Sequence, residues 1–258
     1  MQTIVYAQSM LEDLRHALAQ IPKPDAVVWL FDVNTHRLCA PLLEELSPNS
    51  SRIIITAGDV HKDLATLSDV WRGLQRASAT RHSLMINVGG GMLTDLGGFA
   101  AATYKRGIRF INVPTTLLAM VDAAVGGKTG INFGGLKNEI GAFKEAEVVF
   151  VCTELLRTLD MPNLLSGYAE MLKHSLLCNR EMWSRHLQFS LDNPDFVALQ
   201  DMVRESIAFK QSVVAQDPQE KGLRKSLNLG HTIGHTLESV LLHKEIPVLH
   251  GYAVAWGI

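Results

Sequence analysis

The segment SLMINVGGGMLTDLGGF, residues 83–99, decides the fold. Its first part, Ser83–Val88, is a short apolar run that predicts a buried strand, and a helical pattern begins near Thr94. Glycines between a strand and a helix let a diphosphate approach the backbone amides, where the helix N-terminus adds positive potential. The segment therefore favours a nucleotide-binding turn, although the pattern is not GxGxxG and a tight turn without a ligand explains the glycines equally well.

Short apolar runs continue this pattern on both sides of the segment. They predict further buried strands over Thr3–Ala7, Ala26–Asp32, Arg52–Thr56, Phe110–Val113 and Val148–Val151. Helical stretches alternate with them, over Val60–Ala79 and Thr94–Tyr104. Such alternation predicts a doubly wound parallel sheet. We expect an α/β, Rossmann-like domain over residues 1–162.

The pattern changes after Thr158, where strand signals stop. Helices are predicted over Leu155–Cys178, Asp195–Ala215 and His231–Leu242, and Asn163 and Ser166 offer N-cap side chains near the first of them. We expect an all-α second domain over residues 163–258. Its last residues, 250–258, read as the opening of another helix in which the chain stops, so we expect this domain to be incomplete.

Composition limits the classes of partner. Of the 258 residues 47% are hydrophobic, and 24 Lys and Arg against 26 Asp and Glu leave a formal charge of −2. This excludes a disordered chain and argues against binding driven by nucleic-acid phosphates or a membrane surface. Three widely spaced cysteines form no disulfide framework and favour a reducing compartment. Without a signal peptide or an apolar run of roughly 20 residues, the chain is predicted to be cytoplasmic.

A second glycine-rich segment is VDAAVGGKTGINFGGLKNEIGAF, residues 121–143. Its lysines, Lys128 and Lys137, stand near glycine pairs and could cradle an anionic substrate. GGKT resembles the end of a P-loop, but the GxxxxGK[ST] spacing fails because Asp122 occupies the position of the first glycine. A loop with solvated lysines is the alternative interpretation.

The strongest local pattern is LNLGHTIGHTLES, residues 227–239. His231 and His235 are four residues apart and therefore share one helix face, as two metal ligands would. Glu170, in SGYAEMLKH, and His250, in LHGYA, offer further ligands. Two histidines and one carboxylate would leave an open position on Zn²⁺, which is typical of a catalytic site. From spacing alone, a pair of surface histidines explains the pattern as well.

Taken together, these segments resemble the 3-dehydroquinate synthases, a family of sugar-phosphate cyclases. The resemblance runs from about Asp32 to the last residue and rests on the motifs GGGMLTDLGGFAAATYKRGIRFINVPTTLLAMVDAAVGGKTGIN, LKNEIGAF, SGYAEMLKH, GLRKSLNLGHTIGHTLE and LHGYAVAWGI. It implies that the first domain binds NAD and that the second binds zinc, or cobalt, and substrate. One departure is INFGGLKN, where the family has a proline-containing sequence; Lys137 and Asn138 are retained.

The resemblance also implies roles for individual residues. Glu170, His231 and His250 match the zinc ligands, which leaves His235 for substrate and proton handling. Residues matching positions that contact substrate or its phosphate are Asp122, Lys128, Asn138, Lys173, Lys210, Arg224 and Asn228. Residues matching the NAD site are Asp32, Asn34, Asp59, Lys62, Gly90, Gly91, Asp95, Thr115, Thr116, Lys128, Lys137 and Thr158. Arg106 matches an arginine that reaches the phosphate site of a neighbouring subunit, which implies a homodimer.

The implied reaction converts 3-deoxy-D-arabino-heptulosonate 7-phosphate to 3-dehydroquinate and phosphate in the shikimate pathway. It proceeds by transient oxidation with NAD⁺, β-elimination of phosphate, reduction, and an intramolecular aldol closure. Because NAD is regenerated, the enzyme is expected to be a carbon–oxygen lyase. Three alternatives remain open from sequence: a cyclase acting on another sugar phosphate, an NAD-dependent polyol dehydrogenase, and an inactive fragment that binds NAD and zinc.

Overall fold

A computed structural model describes residues 2–46, 48, 50–244, 246 and 248–258, apart from the side chains of residues 242 and 243. The chain divides into two compact units. The first contains Met1–Thr115 and Gly127–Leu155, and the second contains Thr116–Gly126 and Leu156–Ile258. None of the helices in the described part of the chain combines the length and hydrophobicity needed to cross a lipid bilayer.

The first unit is built on a parallel sheet, as the sequence predicts. Its strands are β1 (Thr3–Tyr6), β2 (Val27–Asp32), β3 (Ser51–Ile55), β4 (Leu84–Gly89), β5 (Arg109–Pro114) and, after a hairpin formed by β6 and β7, β8 (Val148–Val151). They follow the order β1-β8-β5-β4-β2-β3, and all their pairings are parallel. Strand β4 is buried along its whole length because it pairs with β5 and β2, and helices of the same unit pack against it.

The strand order places a topological switch point between β2 and β4. From β2 the chain continues to β3 on one side, whereas from β4 it continues to β5 on the other. Ligands of open α/β sheets bind in the crevice at the carboxyl ends of such strands. In this unit those ends carry Asp32, at the end of β2, and Gly90, immediately after β4.

The helices of this unit are α1 (Met10–Ala19), α2 (Val33–Leu43), α3 (Leu64–Arg76) and α4 (Gly91–Thr103), and aspartate side chains cap α2 and α3. The predicted helix over residues 60–79 is too long, because Asp63 caps α3 by accepting from the Thr66 amide. A separate 3₁₀ turn covers Asp59–His61. Helix α4 begins at Gly91, three residues before the predicted start. Helices α1 and α2 were not predicted.

Most of the second glycine-rich segment, residues 128–143, forms a hairpin in place of the loop that was the alternative interpretation. Strands β6 (Lys128–Phe133) and β7 (Leu136–Phe143) pair antiparallel, and Gly134 and Gly135 join them. Both glycines have positive φ, 59° and 81°, which suits the two-residue turn of a tight hairpin. This correction has a physical reason: a Gly-Gly pair between apolar strands is a hairpin signal.

The second unit is helical, as predicted. Its helices are α5 (Met161–Cys178), α6 (Arg180–Gln188), α7 (Phe196–Gln216), α8 (His231–His243) and α9 (His250–Gly257). Helix α5 starts later than predicted because Asp160 is its N-cap and accepts from the Asn163 amide at 2.8 Å. Neither Asn163 nor Ser166 caps this helix; the Ser166 hydroxyl instead accepts from the Gly251 amide at 2.9 Å. A turn of π-helix, Ala119–Ala123, belongs to the same unit.

Gly97 allows α4 to lie close to the sheet, and replacing it tests this packing. A Cβ at Gly97 would overlap the Oδ1 atom of Asn87, whose Nδ2 donates to Asn112 at 2.9 Å. Alanine is favoured over glycine in a helix by about 0.5–1 kcal/mol. We nevertheless expect Gly97→Ala to lower the free energy of unfolding by about 1–3 kcal/mol through overpacking, measured by urea denaturation.

The matched control is Gly222→Ala, because the nearest atom to a Cβ there lies 3.9 Å away. We expect this control to change the free energy of unfolding little. An unchanged or increased stability of Gly97→Ala would contradict the close contact between α4 and β4.

Candidate active site

In the first unit, predicted cofactor residues gather at the carboxyl ends of the strands. Gly90 is the N-cap residue of α4 and Gly91 its first residue, so the amides that open this helix follow the switch-point strand β4. The Thr115 amide donates to the Gly89 carbonyl at 3.0 Å. Asp32 is buried and caps α2, since its Oδ1 accepts from the Asn34 amide at 2.8 Å. The structure therefore gives Asp32 a local role in addition to any ligand contact.

A buried lysine organises a second group in this unit. Lys62 is 5% exposed, and its ammonium donates to Asp95 Oδ2 at 2.9 Å and to Asn138 Oδ1. Lys137 pairs with Asp59 at 3.2 Å. The structure thus brings together five residues that the sequence predicts separately on three elements. The two ammonium groups and two carboxylates of this group cancel in formal charge. Each lysine and the Asn138 amide carry more than one N–H donor, and such donors suit a polar ligand.

Other predicted residues differ in their exposure and in the elements that carry them. Lys128 is the exposed first residue of β6, and Arg106 is exposed with a left-handed backbone, φ 68°. Thr158 is exposed at the end of the 3₁₀ turn Thr153–Thr158. Thr116 Oγ1 accepts from the Ala119 amide at 3.2 Å and so helps begin the π-helical turn.

Two ion pairs lie in the second unit, one fully buried and one partly exposed. Lys210, on α7, donates to the carboxylate and to the backbone carbonyl of Asp122, which lies in the π-helical turn. Lys173 and Glu170, three residues apart on α5, form an ion pair in which both side chains are at most 1% exposed. Although burial raises the pKa of Asp122, the ammonium groups of Lys210 and Lys173 hold it well below its ordinary value. Burial, followed by the Asp122 carboxylate, raises the pKa of Glu170.

Three histidines lie next to these pairs on α8 and α9. Ligand atoms of His231, His235 and His250 lie within 4.8 Å of one another. The Nε2 atom of His250 lies 3.7 Å from Glu170 Oε1, so Glu170 borders the same group. Burial, followed by the charge of Lys173, lowers the pKa of His231 to about 4. His231 is therefore neutral near pH 7, the state in which an imidazole binds a metal.

A loop before α8 holds a buried arginine. The Arg224 guanidinium donates to the carbonyls of Pro218 at 2.9 Å and Gly126 at 3.1 Å. Asp217 shapes the loop by accepting from backbone amides, and the Gly222 amide is the main cause of the lowered pKa of Asp217. Asn228, exposed at the loop end, donates to Glu220 at 2.6 Å.

Two residues of this unit were not predicted. His174 is fully buried, and its Nδ1 lies 2.7 Å from the Ser206 hydroxyl; ligand atoms of His174, Asp122 and Glu170 lie within 4.8 Å of one another. Burial lowers the pKa of His174 to about 3. Glu238 is buried beside His250. Helix spacing places His174 on the same face as Glu170 and Glu238 on the same face as His235, but it does not show that either residue has a role, because their partners Ser206 and His250 are distant in sequence.

Comparison with models of known protein families shows the family of this chain. The model of the 3-dehydroquinate synthase N-terminal region matches residues 52–166, and that of the C-terminal region matches residues 167–258. The chain belongs to the 3-dehydroquinate synthase family. The resemblance inferred from its motifs is thereby confirmed.

Individual proteins are similar to this chain in sequence or in structure. The curated 3-dehydroquinate synthase of Parabacteroides distasonis is 48% identical over 259 residues, covering all of this chain and 73% of that protein. Among solved structures, 2-deoxy-scyllo-inosose synthase with carbaglucose-6-phosphate, NAD⁺ and Co²⁺ has a TM-score of 0.88 at 25% identity, covering 98% of this chain and 71% of that one. The 2-epi-5-epi-valiolone synthase of Streptomyces hygroscopicus with NAD⁺ and Zn²⁺ has a TM-score of 0.85 at 25% identity, covering 100% and 72%.

The Asp122–Lys210 pair can be tested by a double-mutant cycle. We expect Lys210→Met to leave the Asp122 carboxylate without its closest cation. Removing one partner of a fully buried pair costs about 3–5 kcal/mol. Because the Asp122 side chain is 26% exposed, we expect a smaller loss, about 2 kcal/mol in the free energy of unfolding by urea. Adding Asp122→Asn should recover at least half of that loss.

The matched control is Lys225→Met, which makes the same change at an exposed lysine of the same unit. It should have little effect on unfolding. Strictly additive losses in the double variant would show that the two side chains are not energetically coupled.

Proposed function

We propose that this chain is a carbon–oxygen lyase that converts 3-deoxy-D-arabino-heptulosonate 7-phosphate to 3-dehydroquinate and phosphate, in the shikimate pathway of aromatic amino-acid biosynthesis. The observation that carries the proposal is the buried cluster of the second unit, where Lys173 and Lys210 lie against Glu170 and Asp122 beside three histidines. Membership of the family and 48% identity to a curated synthase support the same reaction.

The donor groups of the second unit fit a divalent metal. Neutral imidazole nitrogens and a buried carboxylate are the ligands that Zn²⁺ prefers, and a site with three protein ligands keeps one position open. We assign Glu170, His231 and His250 as these ligands and leave His235 for proton handling. His235 lies within the same group, so the choice between it and Glu170 rests on the family resemblance. The related cyclases with bound Co²⁺ and Zn²⁺ support either metal.

The first unit fits NAD⁺ at its switch point. The amides that open α4 at Gly90 and Gly91 suit a diphosphate, and the donors of Lys62 and Lys137 suit its oxygen atoms. Both related cyclases were solved with NAD⁺, which supports this assignment. Asp32, Asn34, Asp59, Asp95 and Thr115 complete the proposed set within this unit. Thr116, Lys128 and Thr158 stay predictions from the resemblance.

The residues of the second unit suit the chemistry. When bound, NAD⁺ supplies a reversible hydride acceptor and the metal supplies Lewis acidity. The ammonium groups of Lys173 and Lys210 and the guanidinium of Arg224 are donors for a phosphate dianion, and they stabilise the charge that grows as phosphate leaves. His235 carries an acid–base group suited to the proton transfers of elimination and ring opening. Asn138, Lys128 and Asn228 stay predicted substrate contacts.

The assembly and location are also proposals. We infer a homodimer in the cytoplasm, with no nucleic-acid or membrane partner. Arg106, exposed after α4, would then serve the phosphate site of the neighbouring subunit, as the resemblance implies. We further propose that the NAD-binding and metal-binding roles follow the division into residues 1–162 and 163–258.

Phosphate release tests the reaction. We expect this 258-residue chain with NAD⁺ to release phosphate from the heptulosonate phosphate without net NADH. A chelator should abolish the release, and Zn²⁺ or Co²⁺ should restore it. Release from a hexose 6-phosphate instead would assign a different cyclase, and net NADH from a polyol would assign a dehydrogenase. Absence of every activity would refute catalysis by this chain.

Two substitutions separate metal binding from substrate binding. We expect His231→Ala to lose zinc and phosphate release together. Lys128→Ala should keep zinc, while phosphate release falls on the order of 100-fold because one donor to developing charge is lost. Zinc content is measured by metal analysis of the purified chain. His82→Ala, at an exposed histidine of the first unit, is the control. Full zinc occupancy in His231→Ala would show that the ligand assignment is wrong.

A further inference from the structure

His250 lies between two carboxylates, one at each ring nitrogen. Its Nδ1 is 3.2 Å from Oε2 of Glu238, and its Nε2 is 3.7 Å from Oε1 of Glu170. Both glutamate side chains are at most 2% exposed. The chemistry of a metal site needs Glu170, but it gives no reason for a second buried glutamate on the opposite side of the ring.

The contact between Glu238 and Nδ1 bears on which nitrogen of His250 carries the proton. An ionised carboxylate only accepts hydrogen bonds, so Nδ1 is the donor in a hydrogen bond to ionised Glu238. In the neutral ring the lone pair is then on Nε2, the nitrogen that lies 3.7 Å from Glu170 Oε1. Metal-binding histidines in general donate their second N–H to a carboxylate or carbonyl, and this contact fixes the orientation of the ring.

Close packing of two helices holds this geometry. Glu238 lies on α8 and His250 is the first residue of α9. A Cβ at Gly234 of α8 would lie 3.1 Å from the backbone of Ala253, and one at Gly230 would lie 2.6 Å from the Val254 carbonyl. Because α8 and α9 lie so close together, the position of the Glu238 carboxylate relative to the His250 ring is fixed.

We propose that Glu238 is a positioning residue of the metal site: it accepts the Nδ1 proton of His250 and thereby directs the Nε2 lone pair toward the bound ion. This inference rests on the proposed function only in that His250 is a metal ligand. Glu238 itself touches neither metal nor substrate. It acts through the ring that it orients.

Zinc affinity and the tautomer of His250 test the proposal. Wild type, Glu238→Gln and Glu238→Leu are compared, with Glu181→Gln, an exposed glutamate on α6, as the matched control. Zn²⁺ affinity is measured by competition with a chromophoric chelator. Loss of such a contact weakens metal binding by about 10–100-fold. We expect that loss in Glu238→Leu, a smaller one in Glu238→Gln, whose amide oxygen still accepts, and none in the control.

The second readout uses ¹⁵N chemical shifts of His250 in the metal-free chain, at a pH where the ring is neutral. Wild type should show the proton on Nδ1, and Glu238→Leu should shift it toward Nε2. Affinity within twofold of wild type in Glu238→Leu, or a wild-type ring protonated on Nε2, would overturn the proposal. If wild type binds no zinc, the proposed function fails, and the tautomer still decides whether Glu238 orients His250. Urea unfolding of each variant establishes that it is folded.

Discussion

Two carboxylates and two ammonium groups, buried together in the second unit, are the constraint on which the site depends. An unpaired ion in such a place costs several kcal/mol, so Asp122 and Glu170 require Lys210 and Lys173 close by. The pairing holds the pKa of Asp122 well below its ordinary value. It also places two ammonium groups where a phosphate can compete for them. If the proposed function holds, the contacts that pair these charges are the ones that a substrate phosphate would exchange.

Two of the histidines, His231 and His174, complete this balance by staying uncharged near pH 7. Burial lowers the pKa of His231 to about 4 and that of His174 to about 3, and the nearby lysines act in the same direction. A protonated histidine here would add a third cation to the two lysines. His250 differs because Glu238 and Glu170 face its two nitrogens; burial alone would lower its pKa, but these carboxylates raise it. Each ring therefore has a charge state set by its immediate neighbours.

Much of the first unit follows from local patterns, because a buried parallel strand is a continuous apolar run whatever its neighbours are. Ser83–Val88 and the glycines after it predicted strand, turn and helix, and the structure differs by only a few residues. The hairpin of β6 and β7 was missed because the segment was interpreted as an anion cradle or a loop, and Gly134 and Gly135 were not recognised as a turn. His174 and Glu238 were missed for another reason: their importance lies in Ser206 and His250, which are distant in sequence. Spacing along one helix does not reveal such partners.

Polar atoms that lack a partner occur beside the proposed ligands. Within the described residues, Nε2 of His174 is buried without a hydrogen-bond partner. Glu170 pairs with the ammonium group of Lys173, and neither of its carboxylate oxygens has a hydrogen bond of normal geometry. Buried groups of this kind cost about 1–3 kcal/mol each. A bound cation next to Glu170 would offset part of that cost, so a ligand that completes the site should also stabilise the fold. The Glu170 carboxylate thus links the free energy of unfolding to the binding of a ligand at the site.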